Sequence, residues 1–175
     1  MIVTVIGNGV SRAPIPLYQI RGLTIGCNAV YRDFVPNYLC VIDHAITKEI
    51  YESDYQGVVY YRHMTLKRLR LRPKINWHTP AFMNGENTGN AAIFLAKDLG
   101  ADHIDLIGFD GVSQKLYPDT AQNKDMFDYW NSRLEYLCKD ISVRRVVDDT
   151  CSVMNIPSIS VDAYMKEINV NYGNR

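Results

Sequence analysis

Short apolar, β-branched runs alternate along this chain with stretches whose apolar positions recur every three or four residues. A short run bounded by turn residues reads as a buried strand, and a 3.6-residue recurrence as an amphipathic helix. The first run, Ile2-Val3-Thr4-Val5-Ile6, stops at Gly7. Further strands are predicted at Leu23 to Cys27, Tyr38 to Ile42, Gly57 to Tyr61, Ile104 to Ile107 and Ile156 to Ser160, the last weakened by Pro157. Helices are predicted at Ala45 to Glu52, at Thr88 to Leu99 with Gly100 closing it, at Asp125 to Ile141, at Val143 to Met154 and at Ala163 to Ile168. Asn169 to Arg175 reads as a frayed end.

Strands that alternate with helices define an α/β chain with one three-layer domain, residues 1–175, around a mostly parallel sheet of about six strands. The least regular stretches are Arg62 to Glu86 and Gly111 to Lys124; loops of such length are usually functional. Residues 111–155 read as a helical lid or an oligomerisation insert, and the helix from Asp125 offers a face for a homo-oligomer.

Composition narrows the partners. The 175 residues carry 19 Lys+Arg against 19 Asp+Glu, a balance that argues against a general polyanion binder and so against nucleic acid. No run reaches the length of a membrane-spanning helix, and Met1 to Gly7 lacks the basic and apolar regions of a signal peptide, so a cytoplasmic location without a membrane span is expected. Cys27, Cys40, Cys138 and Cys151 have no CxxC spacing and read as reduced, buried thiols rather than metal ligands.

The chemistry is expected where parallel strands end, because ligands of open α/β sheets bind outside the carboxyl ends. Strand 1 runs into Gly7-Asn8-Gly9-Val10-Ser11-Arg12, a turn that lets backbone approach a ligand and adds a hydroxyl and a cation. The third glycine of GxGxxG is absent, and so is the GK[ST] of a P-loop. Other strand ends contribute Asn28, Asp43-His44 and Gly108-Phe109-Asp110, each of which also suits a helix cap or turn. Asn87-Thr88-Gly89 opens the clearest helix and suits both a cap and an anion or ribose site. His44 is the histidine best placed for proton transfer, whereas His103 precedes its strand and belongs to the opposite edge. Arg62 to Lys74 is the one basic cluster; it reads as a solvated face with partly buried stems, or as a holder of phosphates.

The order of these motifs resembles the Rossmann-like superfamily that joins bacterial sialyltransferases to 6-hydroxymethylpterin pyrophosphokinase-like motility accessory proteins. Val5-Ile6-Gly7-Asn8-Gly9-Val10-Ser11 resembles the superfamily's GxGPS loop, and Gly26-Cys27-Asn28-Ala29-Val30-Tyr31 its CN-x-x-aromatic segment. Pro36 to Asp43 resembles its P-(D/N)-Y-x-x-x-x-D segment, and Asn87-Thr88-Gly89 with Ile104 to Asp110 its (S/T)G-helix-strand-GxD unit. Small versions resemble phage proteins, which makes a phage origin an expectation.

The resemblance implies a nucleotide-dependent transferase, glycosyltransferase-like, with a CMP- or UDP-type sugar donor. Gly7, Asn8, Gly9, Ser11, Arg12, Asn28, Asn87, Thr88, Gly89, Gly108 and Phe109 are then the nucleotide-binding set, and Asp43, His44 and Asp110 the catalytic set. The sialyltransferases carry a His base and tyrosines in a lid after this strand; here Tyr117, Tyr129 and Tyr136 follow Asp110, but no histidine does. The alternatives are Mg²⁺-dependent, pyrophosphokinase-like phosphoryl transfer and a non-catalytic nucleotide binder.

Overall fold

The computed structural model describes residues 1–20, 22–111, 116–117, 126–147 and 154–170. Its frame is one sheet of eight parallel strands among these residues, in the order β5-β4-β3-β2-β1-β6-β7-β8. The strands are β1 (Ile2–Ile6), β2 (Leu23–Cys27), β3 (Tyr38–Val41), β4 (Val58–Tyr61), β5 (Trp77–His78), β6 (His103–Ile107), β7 (Ser142–Val146) and β8 (Ser158–Ile159). The helices are α1 (His44–Glu52), α2 (His63–Leu69), α3 (Thr88–Asp98), α4 (Phe127–Leu137) and α5 (Val161–Val170).

Side chains alternate across a strand, so each strand feeds two cores. Val3 and Val5 of β1, with Ile104 and Leu106 of β6, pack against Ile93 and Leu95 of α3 and Leu134 of α4. On the opposite face Leu39 and Val41 of β3 meet Ile46 and Ile50 of α1 and Leu66 of α2. Ile6 and Ile107 join Val161 and Tyr164 of α5 on that same face. The layers are therefore α/β/α. Strands that are covered on both faces read as nearly continuous apolar runs, which is why they were visible in the sequence.

The chain builds outward from β1 to β5 and then returns to lay β6 on the other side of β1, with Ile2 beside His103 and Ile6 beside Ile107. This reversal makes the carboxyl ends of β1 and β6 the switch point of the sheet, the position at which open α/β sheets bind their ligands.

The sheet corrects the sequence reading in three places. It has eight strands among the described residues rather than about six. The helix expected at Val143 to Met154 is instead β7 over Ser142–Val146, and residues 148–153 lie outside the described set. The stretch from Arg62 to Glu86 holds α2 and β5, where only loop was expected. Leu69 ends α2 because Arg70 turns left-handed at φ 56°, and the Leu71 N–H closes on the Leu66 carbonyl. Gly111 to Lys124 is described only at 111, 116 and 117; Cys151 and the expected frayed end from residue 171 are likewise outside the described set.

Candidate functional site at the β1–β6 switch point

The loops that leave β1 and β6 lace together before either meets another element. The Gly7 N–H donates to the Ile107 carbonyl (2.7 Å), and the Gly9 N–H donates to the Gly108 carbonyl (2.9 Å). A Cβ on Gly7 would lie 2.5 Å from the Gly108 oxygen, and one on Gly9 would lie 2.5 Å from the Asp110 carboxyl carbon. Gly108 itself sits at φ +72°. These glycines let backbone approach backbone, so the two loops form a closely laced floor at the switch point.

Asp110 locks that floor. It is 2% exposed and accepts from the Ser11 N–H (3.0 Å) and from the Ser11 hydroxyl. Its carboxylate thus holds the turn Val10–Arg12 in place. Arg12, 3% exposed, donates to Asp33 (3.1 Å) and to the Tyr117 hydroxyl (2.5 Å), and Tyr117 donates on to Asp33. Burial, reinforced by the Asp33 contact, pushes the Tyr117 phenol up to about 12, so it remains a neutral donor around pH 7. The Leu116 N–H donates to the Asn8 carbonyl (2.9 Å), so residues 116–117 cross the outer side of the same turn.

Two asparagines join this floor to the next strand ends. Asn8 donates through Nδ2 to the Cys27 carbonyl (3.0 Å), which orients the amide; its Oδ1 is buried with no hydrogen-bond partner among the described residues. Asn28 adopts the left-handed conformation at φ 49°, which asparagine tolerates better than most residues. Its Oδ1 accepts from the Thr88 hydroxyl (3.1 Å) and the Ile42 N–H (3.4 Å), tying β2, β3 and the first turn of α3 together. Beneath them the Cys27 thiol is pushed up to about 12 by burial and stays neutral.

Helix N-termini supply the rest of the site. Asn87 caps α3 by accepting from the Asn90 N–H (2.8 Å), and other N–H groups of the first turn have no partner within the helix. The Phe109 ring lies against this turn, since a Cβ on Gly89 would sit 2.9 Å from it. Asp43 caps α1 through Ala45 N–H (2.9 Å) and Ile46 N–H (3.2 Å), and His44 opens that helix with Nε2 buried and unpartnered among the described residues.

The structure therefore brings Gly7, Asn8, Gly9, Ser11, Asn28, Thr88, Gly89, Gly108, Phe109 and Asp110 into one bonded or packed set. Arg12 is turned to Asp33 and Tyr117, while the Asp43 and Asn87 side chains cap helices. Among the described residues no three His, Cys, Asp or Glu side chains gather to hold a metal ion.

The same architecture occurs in solved structures. The sialyltransferase CST-II in complex with a trisaccharide acceptor and CMP matches 95% of this chain and 98% of its own, at 15% identity and a TM-score of 0.57. CstII from Campylobacter jejuni in complex with CMP matches 91% of this chain and 84% of its own, at 14% identity and a TM-score of 0.60. This chain has the CstII sialyltransferase fold. No protein-family model and no curated protein matches it. The superfamily resemblance carried by the GNGVS, CN, TG and GFD segments thus agrees with the three-dimensional likeness.

Within this CstII-type fold, two groups near the switch point were not foreseen. Arg145 of β7 is buried and donates to the Phe109 carbonyl (3.2 Å), steadying the loop after β6. Buried Glu86, just before the α3 cap, accepts from Arg133 of α4 (2.7 and 2.9 Å), which joins α4 to the entrance of α3. A helix reading of 143–154 hid the first, and a loop reading of 62–86 hid the second.

Proposed function

We propose that this protein is a glycosyltransferase-like enzyme that takes a sugar from a CMP-type donor at the β1–β6 switch point. The observation that carries this reading is the buried Asn8 Oδ1, unpartnered among the described residues, beside the first turn of the CstII-type sheet. A buried acceptor without a donor costs about 1–3 kcal/mol, and a ribose hydroxyl or base amine would remove that cost. The α3 N-terminus, with Thr88 and Gly89, offers N–H groups and a positive dipole end to the donor's phosphate.

In this reading an acceptor hydroxyl oxygen attacks the sugar's anomeric carbon. The bond from that carbon to the phosphate oxygen breaks, and its electron pair leaves with CMP. The proposed acceptor of the hydroxyl proton is His44, at the carboxyl end of β3, since no histidine follows His103. The rate gain comes from fixed geometry and from stabilising charge on the leaving phosphate. Asp110 acts through Ser11, as a positioning residue.

Release of CMP from a CMP-linked sugar in the presence of an oligosaccharide acceptor tests this. His44→Ala is expected to lose about 10²–10⁴-fold in turnover while still binding CMP. CMP binding without turnover in the unaltered chain would leave a nucleotide binder, and unchanged turnover in His44→Ala would remove the base.

A further inference from the structure

Arg62, the first cation of the basic segment, donates to the Met83 and Glu86 carbonyls (3.2 and 2.7 Å) on the approach to α3, whereas the five cations that follow it have no role in the site described above. Those five are nonetheless gathered by the fold. On α2, Thr65 and Leu66 face the core, and His63, Met64, Lys67 and Arg68 form the exposed side. The left-handed turn at Arg70 folds the chain back, with the Arg70 N–H on the Lys67 carbonyl (3.2 Å) and the Leu71 N–H on the Leu66 carbonyl (3.0 Å). A second tight turn follows, in which the Trp77 N–H donates to the Lys74 carbonyl (3.0 Å). Ile75 stands at its tip, fully exposed. Lys67, Arg68, Arg70, Arg72 and Lys74 thus lie on the stretch of chain that leads from α2 through these two turns into edge strand β5.

Among the described residues none of these five cations makes an ion pair, although Lys74 lies over the Tyr51 ring (5.0 Å). Arg62 to Lys74 contains no Asp or Glu in a chain whose charges balance overall, so the remainder of the molecule is acidic. One cationic flank on an otherwise acidic body orients the molecule toward an anionic surface. The exposed apolar Met64 and Ile75 decide which kind. Apolar side chains among cations gain by entering the interface of a bilayer and gain little against a phosphodiester backbone. The segment from Arg62 to Ile75 also carries no Phe, Tyr or Trp for stacking on bases, its one ring being the His63 imidazole at the start of α2.

We propose that α2 and the loop from Arg70 to Ile75 dock the protein on an anionic lipid bilayer, with the cations on headgroups and Met64 and Ile75 in the interface. This proposal is independent of the nucleotide reading.

The test is co-sedimentation of the full chain with phosphatidylcholine vesicles, with and without phosphatidylserine, at low and higher salt. Binding is expected only with phosphatidylserine, weakening with salt. Arg68→Gln with Arg70→Gln should lower the partition coefficient about 25-fold, about fivefold for each cation. Ile75→Ser should weaken vesicle binding while leaving the melting temperature unchanged, since the side chain is fully exposed. Binding that ignores phosphatidylserine, or no binding at all, would overturn the proposal. So would tighter association with single-stranded RNA or duplex DNA that Ile75→Ser leaves intact, which would assign the flank to nucleic acid.

Discussion

At the residue scale, the floor of the site is set by which atoms have no room. Gly9 is the sharpest case, since a Cβ there meets both the Asp110 carboxyl and the Gly108 oxygen, at 2.5 and 2.6 Å. Gly9→Ala is expected to cost about 1–3 kcal/mol, read from urea unfolding, because Asp110 cannot withdraw without opening its Ser11 contact, nor the Gly108 carbonyl without losing the Gly9 N–H. Cys27 gives a pH signature. Burial raises its thiol from 9.0 to about 12, so the folded state prefers the neutral form. Below about pH 9 that contribution is intact; it is lost as pH rises toward 12, because the unfolded chain ionises first. Cys27→Ala should therefore flatten the fall in urea midpoint between neutral and alkaline pH. An unchanged slope would place its origin in other buried groups.

At the element scale, a strand is legible in the sequence where it is plainly apolar and obscured where polar groups are paired inside. The strand β1 and helix α3 were legible because their apolar positions follow one period without interruption. The strand β7 was not: Val143, Val146 and Val147 recur at helical spacing, and Arg144 and Arg145 between them look solvent-facing. In the fold Arg144 donates to Asp105 (2.6 Å) and Arg145 to the Phe109 carbonyl, so charge is accommodated within a β-branched strand. No local pattern reveals such long-range partners. The Glu86–Arg133 pair is of the same kind and links α4 to the entrance of α3. Glu86→Ala should destabilise by about 1 kcal/mol, since Arg133 is partly solvated, and should speed amide hydrogen exchange in α4 more than in α5. Equal acceleration in both helices would mean that the pair contributes only to global stability.

At the scale of the whole molecule, the strand order explains why residues far apart in sequence meet. The return of β6 to the side of β1 brings Asp110 under Ser11, and Asn28 reaches Thr88 because β2 ends beside the first turn of α3. The members of the site were visible in the sequence as polar residues at strand ends. Their division of labour was not, because capping, loop closure and ligand contact draw on the same residue types. Only the three-dimensional contacts separate Asp43 as a cap and Asp110 as a lock from Asn8 and His44, whose Oδ1 and Nε2 have no partner among the described residues. The most direct measurement is calorimetric titration of CMP into the unaltered chain and into Asn8→Ala. The account predicts one CMP site per chain that is weakened at least about tenfold by Asn8→Ala, the equivalent of about 1.4 kcal/mol. Absence of CMP binding, or equal affinity in the two chains, would contradict it.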